Sequence, residues 1–401
     1  MRSRMTVFLD HVRHDTAFRE KMNERISIVM DLIREGRDRT SIGRMLKIPQ
    51  GDLVIIFEIA KARIKVSHKF SLYEKVWLDQ YLSSFSTPEV VCNYRAGRIS
   101  GMNLMDIGSG SGIQTAIMSR SNLSTVGIES DADRYMMSLL NGDVYSGRNL
   151  RFIHGDGIRA LEAGKITDDT VVFSDPARPS GASERRLGDL TPTPDAVIAA
   201  ARGRTANFVF DLPPQMKWNN ITIQGEKEYI SVKGSLNRLT LYTGEISNSQ
   251  VSAVVLPQGI RISGAPEENP PVSGSCEDDY LYSFDPAVIR AKLVRNVIAE
   301  TGIKPVASDK RRYLACASRI IDRFPGEIYE VLFTSSSQDI GSDLRAADAG
   351  RVFLRYGVQD GSYYEARDAL SAGLSGGRDI YLFRIGEKTV GTVKIAVKDV
   401  S

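Results

Sequence analysis

Cysteine, histidine and tryptophan are scarce, with three, four and two copies in 401 residues. Cys92, Cys276 and Cys316 are far apart and form no C-x-x-C pair, so neither a disulfide framework nor a zinc site is expected. His11, His14, His68 and His154 lack metal-ligand spacing, and His11 and His14 read as solvated or packed residues of one helix face. No apolar run reaches the roughly 18 residues of a membrane span, and no signal-peptide pattern opens the chain. A cytoplasmic location without a membrane partner is the default expectation. A large excess of one charge is also missing: the formal net charge is +3 and the pI near 8.6, which permits a nucleic-acid partner without requiring one. Length sets the opposite bound, since 401 residues exceed one typical core and predict two or three domains.

Glycine is plentiful, and its placement is informative. The run Asp106-Ile107-Gly108-Ser109-Gly110-Ser111-Gly112 follows an apolar segment, 102–105, and precedes another, 113–118. That order predicts a strand, a tight turn and a helix, with backbone lacking Cβ atoms free to pass close to a nucleotide or methionine moiety. A second predicted strand, 124–128, ends in Glu129-Ser130, where a carboxylate can accept from both ribose hydroxyls. A third, 150–153, runs to Gly155-Asp156-Gly157, where an acid can accept from an adenine amino group. A fourth, 170–173, leads to Ser174-Asp175-Pro176-Ala177-Arg178. All four groups fall at carboxyl ends of parallel strands, where open α/β sheets bind ligands. The series reads as an S-adenosylmethionine site with Asp106, Gly108, Ser109, Gly110, Gly112, Glu129, Ser130, Asp156 and Gly157 as cofactor residues.

Residues 1–65 read as a helical region, with Met22, Ile26, Ile28, Val29, Leu32 and Ile33 near helical spacing. A short helix–turn–helix around Pro49-Gln50-Gly51 reads as a packing cap more than a DNA reader. The basic stretch 61–70 reads as a solvated helix face or a phosphate contact. Ser86 or Thr87 is expected to cap a helix with Pro88 in its first turn, and Arg95 on that helix is a candidate partner for the methionine carboxylate or a surface arginine. Beyond Arg178 a helix (193–201), a strand (206–210) and a hairpin (228–233 and 238–243, turning at Gly234-Ser235) are predicted. The domain expectation is therefore a helical region at 1–65, a catalytic α/β domain at 66–262, a linker at 263–284 rich in Gly, Pro, Ser and acids, and an α+β module with an antiparallel sheet at 285–401.

Lys69-Phe70, Thr87-Pro88-Glu89, Tyr94-Arg95-Ala96, the glycine run, Asp175-Pro176-Ala177-Arg178 and Asp285-Pro286-Ala287-Val288-Ile289-Arg290-Ala291 together resemble class I methyltransferases that carry a C-terminal THUMP-like domain. Residues 380–384 look like that group's closing hairpin, and the resemblance runs from about residue 60 to the end. It implies a Rossmann-like sheet, S-adenosylmethionine as cofactor, and RNA, a tRNA or rRNA base, as acceptor, because THUMP domains bind RNA.

The turn after the fourth strand is where the acceptor belongs. Enzymes that methylate exocyclic amines use [D/N/S]-P-P-[Y/F/W] there; here Ala177 replaces the second proline and Arg178 the aromatic ring. An arginine plane also stacks on bases. A D-P-P-R turn occurs in RNA uracil-C5 methyltransferases, but these need a cysteine nucleophile, and no cysteine here sits beside a strand-end turn. The expected catalytic set is Asp175, Pro176 and Arg178, with Asp175 orienting or deprotonating the acceptor and a loop at 179–186 over the substrate. Three other readings stand beside this one: an RNA-binding homologue without catalysis, a methyltransferase with a small-molecule or protein acceptor, and an NAD-dependent oxidoreductase. The last has G-x-G-x-G where G-x-G-x-x-G is usual, and no evident hydride-transfer acid or base. The sequence does not specify oligomeric state.

Overall fold

Ser3, Asp15 and Asp38 start the first three helices, α1 (Arg4–His14), α2 (Thr16–Arg34) and α3 (Arg39–Leu46), by accepting from the first-turn amides of Thr6, Phe18 and Thr40. The computed structural model describes residues 2–145, 149–164, 166–178, 185–336, 340–358 and 362–396. Two compact units divide the chain, Met1–Gly225 with Thr240–Asn248, and Glu226–Leu239 with Ser249–Ser401.

In the first unit α4 (Gln50–Val66), α5 (Gln80–Phe85) and α6 (Glu89–Arg98) follow. Met22, Ile26 and Val29 are buried as their spacing predicts, whereas Ile28 is exposed. The basic stretch of α4 departs from expectation. Arg63 is fully buried, donates to the Val76 carbonyl and Asn23 Oδ1 at 2.8 Å each, and lies over the Trp77 ring. Burial lowers its guanidinium to about 9. Lys69 Nζ donates to the carbonyls of Ser83 and Ser86 at the end of α5, a structural task for a residue expected to meet solvent or phosphate. The predicted cap of α6 also differs. Pro88 itself occupies the cap position without a side-chain bond, because Ser86 Oγ donates backward to Leu82 O in α5.

A parallel sheet comes next: β1 (Asn103–Asp106), α7 (Ile113–Ser119), β2 (Ser124–Glu129), α8 (Ala132–Val144), β3 (Leu150–His154), α9 (Gly157–Ala163), β4 (Thr170–Ser174), α10 (Pro194–Ala201) and β5 (Phe208–Leu212). The strands lie in the order β3-β2-β1-β4-β5, all pairs parallel. The order reverses between β1 and β4, and the crevice outside those two strand ends is where this topology holds a ligand. One apolar core runs from Leu9, Ile26 and Ile59 of the N-terminal helices to Ile113 and Ile117 of α7 and Met137 and Leu140 of α8, so the helical region packs on the sheet's own helices.

The second unit contains β6 (Glu226–Val232), which turns through Lys233 (φ 50°) and Gly234 (φ 74°) into β7 (Ser235–Tyr242). Two positive φ values suit a hairpin turn, which falls one residue before the expected Gly234-Ser235. The unit boundary falls within β7, after Leu239. β8 (Val251–Leu256) pairs in parallel with β6, and β9 (Ile260–Gly264) antiparallel with β8. Then follow β10 (Tyr280–Phe284), α11 (Pro286–Arg290), α12 (Val294–Thr301), β11 (Lys304–Ser308), β12 (Tyr313–Ala317), β13 (Gly326–Ser335), α13 (Ile340–Ala346), β14 (Ala349–Leu354), α14 (Tyr363–Ser371), β15 (Arg378–Ile385) and β16 (Lys388–Lys394). Seven strands form a sheet in the order β11-β12-β10-β13-β16-β15-β14. It is antiparallel except for β14 and β15, which run parallel with α14 as their crossover. Residues 280–284, within the stretch expected to be a linker, are β10, between β12 and β13. Cys276 and Cys316 are disulfide-bonded with Cα atoms 6.0 Å apart, which corrects the expectation of no disulfide. The pairing joins the segment before β10 to β12 and leaves no trace in local spacing.

Candidate active site

The carboxyl end of β1 carries Asp106, which is buried and holds the turn from inside. It accepts from Thr115 Oγ1 at 2.5 Å and from the Gly108 amide at 3.3 Å. Burial pushes its carboxyl up to about 7, against the lowering effect of those two bonds, and Asp175 and Glu129 add to the rise. The glycines after it are there for different reasons. Gly110 and Gly112 have φ of 55° and 73°, and a Cβ at Gly112 would lie 2.6 Å from Ser138 Cβ. Gly108 faces open space, with nothing within 4 Å of where its Cβ would be. Ser109 donates its amide to Ile128 O at 2.9 Å, and its buried Oγ has no partner among the described residues.

Glu129 closes β2. One carboxylate oxygen accepts from the Gly110 amide and the other from the Asp131 amide, each at 2.9 Å, so the glycine turn and the start of α8 fix the side chain in place. Each oxygen keeps a further lone pair for a ligand hydroxyl. Ser130 follows, and its carbonyl lies 3.0 Å from His154 Nε2 at the end of β3. Asp156 caps α9 by accepting from the Arg159 amide at 2.8 Å through Oδ1. Gly157 is packed against the turn, since a Cβ there would meet Ile107 O at 2.2 Å.

At β4 the side chain of Asp175 is about one-third exposed, and Arg178 reaches back to it at 3.6 Å. Pro176 is buried, and Ala177 exchanges backbone hydrogen bonds of 2.8 and 3.0 Å with Thr191. Arg178, Arg185 and Arg186 are exposed. Of the expected substrate loop, residues 179–184 lie outside the described residues.

Arg95 is not a surface arginine. It is fully buried, 2.5 Å from Asp211 at the end of β5, and also donates to Gln114 Oε1 at 2.6 Å and Thr240 Oγ1 at 3.1 Å. Burial alone would lower its pKa; Asp211 more than offsets this and holds the guanidinium above its ordinary value. Two further residues support the turn without having been singled out in the sequence. Asn141 donates to Ser111 O at 2.8 Å and to Trp77 O at 2.9 Å, and accepts from the Trp77 amide at 2.8 Å. Leu82 lies 3.7 Å from the Cβ position of Gly110. An asparagine inside the apolar stripe of α8 is the one sequence signal that could have found Asn141, since a buried amide needs partners.

Residues 60–166 match the family profile of protein-L-isoaspartate(D-aspartate) O-methyltransferases. The chain is an S-adenosylmethionine-dependent methyltransferase. S-adenosylmethionine is its cofactor, and the turn fits it: Gly108 is open, Glu129 keeps lone pairs, and buried Ser109 Oγ lacks a partner among the described residues. No curated protein matches the chain. Among solved structures, a protein from Porphyromonas gingivalis W83 assigned as a methyltransferase shares 14% identity and a TM-score of 0.71 over 94% of this chain and 99% of its own, so the two have the same fold. A Listeria monocytogenes protein assigned as a class I S-adenosylmethionine-dependent methyltransferase (12% identity, 63% of this chain and 92% of its own) has a TM-score of 0.33. The T. thermophilus 16S rRNA N2 G1207 methyltransferase (20% identity, 33% and 36%) has a TM-score of 0.27. At those two scores the likeness bears on nothing further. Among the described residues no group of His, Cys, Asp and Glu could hold a metal, and no helix is long and apolar enough to cross a membrane.

Proposed function

We propose that this methyltransferase modifies a base of tRNA or rRNA, with Asp175 as the group that receives the acceptor. The observation that carries the reading is the position of Asp175: its half-buried carboxylate stands at the end of β4, beside the reversal point of the sheet, paired with Arg178. The bound cofactor supplies an electrophilic methyl group on a sulfonium. The protein's share is to position and desolvate the acceptor, for which one carboxylate at hydrogen-bond distance is enough. Exposed Arg178, Arg185 and Arg186 add positive charge where a phosphate backbone would run, and a guanidinium released from Asp175 can stack on a base. Pro176 and the Ala177–Thr191 bridge hold the turn rigid.

Cofactor contacts are assigned to Asp106, Gly108, Ser109, Gly110, Gly112, Glu129, Ser130, Asp156 and Gly157, whereas Arg95 acts as a positioning residue that ties α6 to β5. The second unit is assigned to RNA binding as a THUMP-like module, and a cytoplasmic location goes with that acceptor. One observation favours a protein acceptor instead. The matching family is named for a protein carboxyl substrate, but the match ends at residue 166, before β4, so the acceptor side falls outside it. Mass spectrometry of nucleosides from RNA treated with the enzyme and cofactor tests the proposal. A methylated base that disappears with Asp175→Ala, while S-adenosylhomocysteine affinity holds, is expected. Methyl transfer to protein and none to RNA would overturn it.

A further inference from the structure

Away from the glycine turn, the first unit contains a cavity of about 380 Å³ between α1, α8 and the end of β3. None of Gly108, Gly110, Glu129, Asp156 or Asp175 lines it. Its walls differ in chemistry. Tyr135 and His154 are stacked with ring centroids 5.2 Å apart, and both line the cavity, giving it an aromatic side. Leu139, one helical turn after Tyr135, and Met136 add an apolar surface. From α1 and the residues before it come Arg2, Arg13 and His14 against a single acid, Asp10. Asp10 is already engaged from two sides, by Arg2 at 3.4 Å and His14 at 3.3 Å. Arg13 is half-buried, has no carboxylate partner among the described residues, and leaves Nη1 enclosed without an acceptor. The cavity thus combines an aromatic platform, an apolar wall and an excess of cationic donors in a volume within the range of small-molecule sites. α1 is also fastened at this place, since Ser3 Oγ and Thr6 Oγ1 both donate to Asp133 at the start of α8.

We propose that this cavity is a second ligand site, for a nucleoside 5′-phosphate. The base lies against Tyr135 and His154, and the phosphate is held by Arg13 with Arg2. The nucleotide is either free or one residue of an RNA strand; the chemistry recognised is the same. The site does not depend on the acceptor proposed for Asp175, because its ligand is bound and not methylated.

Calorimetric titration of the full chain, saturated with S-adenosylhomocysteine so that the cofactor site is filled, tests this. The four nucleoside 5′-monophosphates and adenosine form one arm, and a single-stranded oligoribonucleotide the other. Expected is saturable binding of the monophosphates, weaker binding of adenosine, and a loss of about tenfold with Tyr135→Ala or Arg13→Gln, the size of one base–aromatic contact. If the oligonucleotide shows the same losses, the ligand is a strand; if only the monophosphates do, it is a free nucleotide. Absence of saturable monophosphate binding, or binding that neither variant weakens, overturns the proposal. S-adenosylhomocysteine affinity checks that the variants fold. Should that also fall, crosslinking of 4-thiouridine monophosphate to the unaltered protein decides, with adducts on Tyr135 or His154 required and adducts elsewhere refuting the site.

Discussion

Replacing Asp211 with alanine leaves the Arg95 guanidinium charged, fully buried and without its anion, and the cost can be worked out from what remains. Arg95 keeps Gln114 and Thr240 as acceptors, at 2.6 and 3.1 Å, but both are neutral. Thr240 in turn loses Asp211 Oδ1, to which it donates at 2.9 Å. Breaking one side of a buried ion pair costs about 3–5 kcal/mol, whereas exchanging both partners for apolar groups is often close to neutral. Asp211→Ala should therefore lower the midpoint of thermal unfolding by roughly 10 °C, taking about 2–4 °C per kcal/mol for a unit of this size. The double variant Arg95→Met with Asp211→Leu should recover most of that. The assay is thermal and urea unfolding of the four members of the cycle. A loss below about 1 kcal/mol for Asp211→Ala, or a double variant as unstable as the two single changes added together, would refute the argument. The cycle also bears on the cofactor. An arginine that positions α6 should, in the double variant, leave S-adenosylhomocysteine affinity within a few-fold; one that held the methionine carboxylate should not.

Gly157→Ala forces a methyl group against Ile107 O and should both destabilise the protein by about 1–3 kcal/mol and weaken S-adenosylhomocysteine binding. Gly155→Ala, with nothing within 4 Å and no positive φ, should do neither, and equal behaviour of the two in calorimetry and urea titration would count against the packing argument. Asp106 has a folded pKa raised from 3.8 to about 7, so the folded state binds the extra proton between those values and stability contributed by this group is lost as pH rises from about 4 to 7. Asp106→Asn should thus gain on the unaltered protein across that window and stay parallel to it above; a difference independent of pH would show that Asp106 is not buried as described. Thiol titration of the denatured, unreduced protein should count one thiol, Cys92, and three after reduction. Three thiols before reduction would remove the Cys276–Cys316 bond.

The strands that carry the proposed cofactor residues were legible because each is a short apolar run closed by a polar turn residue, and periodicity together with turn chemistry is local information. The helix expected at 193–201 begins one residue later. Val251–Leu256 was missed although all six residues are buried, since a strand covered on both faces loses its alternation. Lys292 at φ 58° separates α11 from α12. The buried charges could not be read at all. Arg63 and Arg95 look like surface residues of basic helices, and what reverses that is a partner such as Asp211, 116 positions further along the chain. The disulfide is illegible for the same reason, its two cysteines being 40 residues apart.

Asn141 has one more consequence. Its amide holds Trp77 on one side and Ser111 of the glycine turn on the other, so loosening the N-terminal helices and loosening the turn are one event. Ligand at 100 times its dissociation constant adds about 2.7 kcal/mol to whatever must open for it to leave. Hydrogen exchange in α4 should then slow when the cofactor site is saturated. The helical region is in that sense a remote reporter of occupancy, readable without any acceptor in hand.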